Sequence, residues 1–384
     1  MKLMPLPLLT CVATLLLGAC STMDKLNPFS SSTPKVKPTE LAAIQPTAEL
    51  KALWQASVGS AGEFAFSPAV VGDSVYAAAK DGTVIRFDGG RQVWRIAAGQ
   101  PISGGVGSDG KLVVVGTPKG EVLAFDAATG RETWKARVSS EVLAAPAVAD
   151  GLAIVRSGDS RIFGFDAADG KRRWVYQRST PALSLRSSVG VVVAGRHTLA
   201  GFPGGKLVAI ANNNGAAEWE VTVALPKGST ELERVADVTS SPVVSGGTVC
   251  AAAFQGRVAC FDIKSGNTLW ARDMSSSAGL DMDTRYVYVA DDKGAVHALD
   301  SNSGASVWKQ DKLAGRGLSR PVALGAQVAV ADYQGVVHLL RREDGAFSAR
   351  VATDGSAVRA EPARLGAGLL VQTVNGGLYA LEAR

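Results

Sequence analysis

Residues 120–134 read GEVLAFDAATGRETW, and the same pattern returns as GRVACFDIKSGNTLW at 256–270 and as GAVHALDSNSGASVW at 294–308. Each copy begins with a glycine, continues with an apolar run, turns through an Asp-to-Gly stretch and ends on a tryptophan. Short alternating runs that contain β-branched residues are typical of β-strands, and glycine accepts the positive φ angles of tight hairpin turns. The repeated unit therefore predicts two antiparallel strands joined by a turn.

The closing tryptophan sets the period of the repeat. The chain has seven tryptophans, and all belong to one series with steps of 40, 40, 40, 45, 51 and 38 residues, which Phe347 continues after a further 39. A period of about 40 residues with four short strands is typical of a β-propeller blade. Because the rings recur at one blade position, we expect them to pack between adjacent blades rather than to form a ligand-stacking surface. The series is Trp54, Trp94, Trp134, Trp174, Trp219, Trp270 and Trp308.

Eight copies of the turn before the third strand predict eight blades. An apolar run upstream of each copy, such as 111–116, supplies the second strand, and the stretch before it supplies the first. The last copy ends at Arg384 without a tryptophan strand, whereas the first tryptophan strand, 49–59, has no blade before it. We therefore expect an all-β fold in which residues 46–384 form an eight-bladed β-propeller, closed by the N-terminal strand, which completes the last blade. The turn residues are Gly82, Gly120, Ser160, Gly205, Gly256, Gly294, Gly335 and Gly377.

The N-terminus has the pattern of an export signal. Residues 1–19 carry Lys2 and an apolar run that is shorter than the roughly 20 residues needed to span a bilayer, so they predict a cleaved signal peptide. The segment 17–20, LGAC, resembles the lipobox of bacterial lipoproteins, which implies acylation of Cys20; the alternative is an ordinary signal with an accidental cysteine.

Residues 20–45 are rich in Ser, Thr, Pro and Lys and predict a flexible tether, or alternatively a short arm packed on the domain. Ser21 favours sorting to the outer membrane by analogy.

Composition excludes several classes of function. The formal net charge is only +5 and the basic residues are dispersed, so no nucleic-acid footprint is expected. With 3 His and 4 Cys, two of the cysteines before residue 21, a Cys/His metal cluster is not expected. Cys250 and Cys260 flank a hairpin turn, and we expect two buried free thiols there, with a cross-strand disulfide as the alternative.

Catalytic motifs are not evident. The repeat resembles that of pyrroloquinoline-quinone dehydrogenases, but the chain has no vicinal cysteine pair and is too short for their active-site insertions. The GVGSDG stretch at 105–110 leads into a strand instead of a helix, so it is not a dinucleotide motif. We therefore expect no enzyme activity and no cofactor.

The period breaks on both sides of the fourth blade. The connection before it contains TPALSLRSS at 180–188, in which Leu183 and Leu185 beside Arg186 are typical of a protein-binding hot spot; alternatively the leucines belong to an inner strand. The connection after it, 225–242, is long and charged. It predicts either a second part of the functional surface or a solvated loop. Since both connections link an outer to an inner strand, we expect them to be neighbours on one face.

These features together resemble the BamB family, lipoproteins of the outer-membrane β-barrel assembly machinery. The most specific matches are PALSLR at 181–186 and GSTELERVADVTSSPVV at 228–244. The resemblance implies a non-catalytic scaffold that faces the periplasm, binds the POTRA domains of BamA and assists insertion of β-barrel proteins. It implies partner contacts by Leu183, Leu185, Arg186 and Asp237, whereas Thr239 stands where some relatives have a second Asp. Alternatives are a degenerate quinoprotein enzyme or sensor, and a binder of unfolded β-strands, including client proteins.

Overall fold

A computed structural model describes residues 38–384. The predicted signal peptide, Cys20 and the first part of the predicted tether lie outside the described residues. Thirty-two β-strands form eight four-stranded sheets, as the sequence predicts. In residues 38–384 no helix has the length and apolar character needed to cross a membrane.

The first strand of the chain belongs to the last blade, and the next sixteen strands form blades 1 to 4. Their bounds are β1 Leu50–Ser57; β2 Ala69–Val71, β3 Ser74–Ala78, β4 Thr83–Asp88 and β5 Arg91–Ala97 in blade 1; β6 Gly107–Ser108, β7 Leu112–Gly116, β8 Glu121–Asp126 and β9 Glu132–Arg137 in blade 2; β10 Ala147–Ala149, β11 Leu152–Arg156, β12 Ile162–Asp166 and β13 Arg172–Tyr176 in blade 3; β14 Val191–Ala194, β15 His197–Phe202, β16 Lys206–Ala211 and β17 Ala217–Thr222 in blade 4.

The remaining strands form blades 5 to 8. Their bounds are β18 Val243–Ser245, β19 Thr248–Ala252, β20 Arg257–Asp262 and β21 Thr268–Asp273 in blade 5; β22 Gly279–Met282, β23 Tyr286–Ala290, β24 Val296–Asp300 and β25 Ser306–Gln310 in blade 6; β26 Val322–Leu324, β27 Gln327–Ala331, β28 Val336–Arg341 and β29 Phe347–Ala352 in blade 7; β30 Ala363–Leu365, β31 Gly368–Gln372 and β32 Gly377–Ala383, joined by β1, in blade 8.

Each blade is an antiparallel meander that runs from a short inner strand to an outer strand. Inner strands of neighbouring blades contact one another, for example β2 with β6 and β22 with β26, and β30 contacts β2, which closes the ring. Since strand direction alternates, the links between blades share one face of the ring with the hairpins between second and third strands. We call this face the connector face, and the opposite one the turn face.

The two ends of the ring meet in blade 8. Strand β1 pairs with β32 in an antiparallel register from Leu50↔Ala383 to Ser57↔Gly377. The backbones of Glu49 and Arg384 exchange two hydrogen bonds of 2.8 Å. The predicted closure by the N-terminal strand is therefore confirmed.

The tryptophans join neighbouring blades, which confirms their predicted structural role. Trp134 Nε1 donates to the Ala167 carbonyl of blade 3 at 2.8 Å. Its ring covers Gly170, where an added Cβ would lie 2.6 Å from the ring. The same approach of ring to glycine recurs around the molecule for Trp54 and Gly90, Trp94 and Gly130, Trp174 and Gly215, Trp219 and Gly266, Trp270 and Gly304, and Trp308 and Gly345.

Cys250 and Cys260 are joined by a disulfide. They are directly opposed in the register of β19 and β20, with their Cα atoms 4.1 Å apart, and both are fully buried. Such a close separation is typical of a non-hydrogen-bonded antiparallel pair. The expectation of two free thiols is therefore wrong, because the sequence did not determine the register of the two strands.

Residues 38–48, which we call the N-terminal arm, contact blade 7. Thr39 donates its N–H to the Ala314 carbonyl at 3.0 Å, on the connector face between blades 6 and 7. Thr47 donates to the Ser348 carbonyl in β29 at 2.9 Å, and Leu41 packs on an apolar cluster of blades 6 and 7. Residues 20–45 were predicted to form a flexible tether or, alternatively, an arm packed on the domain. For residues 38–45 the structure shows the packed arm.

Two arginines hold the arm through backbone carbonyls. Arg316 Nη1 donates to Thr39 O at 3.1 Å, and Arg350 Nη1 donates to Ala42 O at 3.0 Å. The two guanidinium groups are linked by a buried chain: Arg316 donates to Asp332, which contacts His338 at 3.1 Å. His338 Nδ1 accepts from Arg350 Nε at 3.1 Å, so one polar network connects the arm to the interior of blade 7.

Candidate protein-docking site

The two irregular connections flank blade 4 on the connector face. Connector 3–4 (residues 177–190) and connector 4–5 (residues 223–242) contain no strand. A hydrogen bond from Leu185 to Asp237 joins them directly. The expectation that they are neighbours on one face is therefore confirmed.

Asp237 fixes connector 3–4 from below. Its Oδ2 accepts the N–H of Leu185 at 2.7 Å, and its Oδ1 accepts the N–H of Gly204, in a hairpin of blade 4, at 3.0 Å. Only 2% of Asp237 is exposed. The resemblance implied a partner contact for Asp237, and the structure places its carboxylate beneath the connector, where it positions Leu185.

Arg156 lies beneath the same connector. Its guanidinium faces the Phe202 ring at 5.1 Å and donates to the Gly201 carbonyl. Burial lowers the pKa of Arg156 to about 10, while the charge of Asp237 opposes that shift. At neutral pH Arg156 is therefore charged, and its cation lies close enough to Asp237 to favour a carboxylate there.

Leu183 and Leu185 are surface residues. They are 41% and 39% exposed, and neither belongs to a strand. The sequence predicted that these leucines are either exposed on the connector or part of the core in an inner strand. The structure shows that they are exposed. Their environment is that of apolar anchors displayed on a connector.

Arg186 reaches to the neighbouring link between blades. Its Nε and Nη2 donate to the two carboxylate oxygens of Glu141 at 2.9 and 2.8 Å, and its side chain remains 57% exposed. Glu141 belongs to connector 2–3 (residues 138–146), and its hydrogen bonds raise the pKa of Arg186. Sequence reasoning missed Glu141, because nothing in its own repeat marks it and its partner is 45 residues away.

Thr239 is half-buried in connector 4–5. Its hydroxyl oxygen is buried and has no hydrogen-bond partner among the residues that the structure describes.

Connector 4–5 displays two more leucines, which the sequence did not single out. Leu225 is 63% exposed and Leu232 is 71% exposed. The only signal for them was their place in a long segment without a strand pattern. Charged neighbours made that segment resemble a solvated loop.

Polar side chains from several links between blades meet near the axis of the ring. Ser241 of connector 4–5 donates to Glu361, in the link between blades 7 and 8, at 3.0 Å. Arg320 donates to the other carboxylate oxygen of Glu361 at 2.9 Å, and the Glu361 N–H donates to the Ser67 hydroxyl at 3.1 Å. Glu361 thus has partners for both carboxylate oxygens and for its N–H. Within residues 38–384 no group of three or more His, Cys, Asp or Glu side chains is arranged to hold a metal ion.

The fold and the site together define a class: a β-propeller of quinoprotein-type repeats that displays apolar side chains on the connectors beside one blade. A family model described as outer membrane protein assembly factor BamB matches residues 80–310 and 292–384. The Bordetella pertussis protein of that name is 44% identical over 92% of each chain. The chain therefore belongs to the BamB family.

Solved structures agree with this assignment. The crystal structure of BamB from Moraxella catarrhalis superposes with a TM-score of 0.81 at 29% identity, covering 87% of this chain and all of that one. Quinohemoprotein alcohol dehydrogenase from Comamonas testosteroni superposes with a TM-score of 0.69 at 14% identity, covering 86% and 76%. The second likeness shows the shared fold alone.

Proposed function

We propose that this chain is a non-catalytic scaffold of the outer-membrane β-barrel assembly machinery. It binds the periplasmic POTRA domains of BamA through connector 3–4 and so assists insertion of β-barrel proteins. Membership of the BamB family supports the assembly role. The observation that carries the docking site is the display of Leu183, Leu185 and Arg186 on a loop whose backbone is fixed by buried Asp237.

The physical case rests on preorganisation. Interface energy concentrates in a few anchors, and apolar side chains beside an arginine are a typical set. A loop that is already held in place loses less conformational freedom on binding. Asp237 supplies that restraint on the backbone of Leu185.

The proposed location is the periplasmic side of the outer membrane. The names of the relatives support association with the outer membrane. Acylation of Cys20 would supply the anchor, since each buried CH₂ contributes about 0.8 kcal/mol and several chains together hold a protein stably.

Catalysis is not part of the proposal. The relatives carry the name of an assembly factor, and the likeness to quinoprotein dehydrogenases extends to the fold only.

The test is a binding measurement with a matched control. The chain from residue 21 onward is titrated with the soluble periplasmic region of the cognate BamA, as wild type and as Arg186→Glu. Arg173→Glu is the control, because Arg173 is also 57% exposed and is also paired with a carboxylate at 2.8 Å, but lies in outer strand β13. We expect Arg186→Glu to weaken binding about 30-fold or more, as for a hot spot of over 2 kcal/mol, and the control to bind normally. Unchanged affinity of the Arg186 variant would remove connector 3–4 from the site.

A further inference from the structure

Exposed large apolar side chains fall into two groups. Within the described residues, five lie next to a closing tryptophan in outer strands, where the repeat explains them: Leu53, Val93, Val175, Leu269 and Val307. Apart from Tyr333, the others are four leucines, and all four lie on the two connectors beside blade 4. The repeat does not account for this concentration, which includes the most exposed residue of the whole set, Leu232 at 71%.

Leu232 is carried by a turn that binds its own polar groups. The Glu233 carboxylate accepts the N–H groups of Ser229 at 2.7 Å and Thr230 at 3.1 Å. The Thr230 hydroxyl in turn accepts the Glu233 N–H at 3.2 Å, so the two residues cap each other in the manner of a capping box. These hydrogen bonds lower the pKa of Glu233, which is therefore charged at neutral pH.

A second restraint closes the same turn. Arg234 Nε donates to the Gly228 carbonyl at 3.0 Å, and Arg234 also pairs with Glu231 at 3.7 Å. The backbone and charged groups around Leu232 thus have partners within the turn itself. A leucine that is exposed on a turn so well restrained has the character of a preorganised anchor.

Connector 4–5 is continuous with the proposed docking site. Asp237 follows Arg234 by three residues and holds Leu185 of connector 3–4 at 2.7 Å. Leu225 and Leu232 therefore lie in the same segment as the residue that positions the first anchor, on the same face of the ring. One partner that covers blade 4 on the connector face would meet both pairs of leucines.

We infer that Leu225 and Leu232 form a second docking point for the protein partner that binds connector 3–4. The inference rests on the proposed function. It specifies the partner as one folded surface with two apolar depressions, one of them beside a carboxylate that faces Arg186. Two separated anchors fix the orientation of the propeller on its partner, which a single anchor would leave free to rotate.

The experiment compares leucines of similar exposure in different places. Leu225→Ser and Leu232→Ser, singly and together, are titrated with the periplasmic region of the cognate BamA. Leu269→Ser is the matched control, since Leu269 is 50% exposed in outer strand β21 of blade 5. Thermal unfolding verifies that each variant is folded. We expect the double variant to bind about tenfold more weakly or worse, and the control to bind like the wild type.

The outcomes separate this inference from the proposed function. If Arg186→Glu lowers affinity while the Leu225/Leu232 variant binds normally, the second docking point is overturned and the function stands. If the folded wild-type chain does not bind at all, the proposed function itself fails. If the double variant alters only self-association of this chain, seen by sedimentation, the occupant is a second copy and the inference is overturned.

Discussion

The carboxylate of Asp237 holds the backbone N–H of Leu185 at 2.7 Å, across 52 residues of sequence. This hydrogen bond makes a buried residue responsible for the position of an exposed one. Removal of the carboxylate should therefore affect docking without removing any atom of the docking surface.

Asp237→Asn is expected to weaken both folding and binding. An amide has one acceptor oxygen, so it cannot satisfy the Leu185 and Gly204 N–H groups as the carboxylate does, and it leaves Arg156 without its counter-charge. A buried group left without its partner costs about 1–3 kcal/mol. Urea unfolding measures the loss of stability, and a double-mutant cycle with Leu185→Ala measures the coupling. Strict additivity of the two effects on binding would show that Asp237 does not act through Leu185.

Glu141→Gln is expected to tighten binding slightly. The Arg186–Glu141 pair is exposed, and such pairs contribute about 0–1 kcal/mol to stability. The variant should therefore unfold like the wild type, while the freed guanidinium binds a partner carboxylate about two- to fivefold more tightly. Affinity is measured at low and high salt, because the gain should shrink with screening. Weaker binding would instead mean that Glu141 orients Arg186 for its partner.

Acid is expected to destabilise blade 7 through His338. Burial lowers the pKa of His338 below its usual value of 6.5; the charge and hydrogen bond of Asp332 oppose this shift, and the charges of Arg350 and Arg316 add to it. The unfolded chain then takes up a proton that the folded chain resists. The contribution of His338 to the free energy of unfolding is therefore largest above about pH 6.5, and it decreases as the pH falls towards the pKa of His338 in the folded chain.

The measurement is urea unfolding between pH 5 and 7, with amide exchange of the N-terminal arm. Protonation of His338 Nδ1 ends its acceptance of the Arg350 hydrogen bond, and Arg350 also holds the arm at Ala42. The protection factor of the Thr47 N–H, which is its exchange rate corrected for the intrinsic rate at each pH, should therefore fall in acid. His338→Gln, which retains a donor and an acceptor, should flatten the pH dependence. An equally steep dependence in this variant would assign it to another group.

Loss of the disulfide is expected to reduce stability by about 2–3 kcal/mol. The bond joins residues separated by 10 positions, and closing a loop of that size contributes this much in the chain-entropy account. The double variant Cys250→Ser/Cys260→Ser is compared with the wild type by urea unfolding. Titration with a thiol reagent in denaturant without reductant should find no free thiol in the chain from residue 21 onward. Two free thiols would show that the bond does not form.

Gly170→Ala is expected to be more destabilising than Gly151→Ala in the same blade. Both glycines have φ above +70°, so both substitutions meet the same backbone strain of about 1 kcal/mol. Only at Gly170 would the new Cβ meet the Trp134 ring, at 2.6 Å, whereas nothing lies within 4 Å at Gly151. Overpacking adds about 1–3 kcal/mol. Equal urea midpoints for the two variants would disprove the contact between ring and glycine.

The repeat made most of the fold predictable. Eight units and an unpaired tryptophan strand at Trp54 were sufficient to predict the blades and the closure of the ring, because each blade needs four strands. The two spacings in the tryptophan series that exceed 40 residues, 45 and 51, located the connectors beside blade 4. Contacts between distant segments were not predictable: the register that joins Cys250 to Cys260, the burial of Asp237 and the pairing of Arg186 with Glu141 depend on neighbours that no local pattern specifies.

The position of the N-terminal arm limits how far the propeller can lie from a membrane anchor at Cys20. Thr39 lies on the connector face, beside Ala314 and some three blades around the ring from connector 3–4. The chain between Cys20 and Pro38 can extend no more than roughly 60 Å. With Cys20 in the membrane as proposed, Thr39 and the connector face around it would therefore stay within that distance of the bilayer. The propeller and a partner bound to its docking leucines would then share one zone beside the membrane.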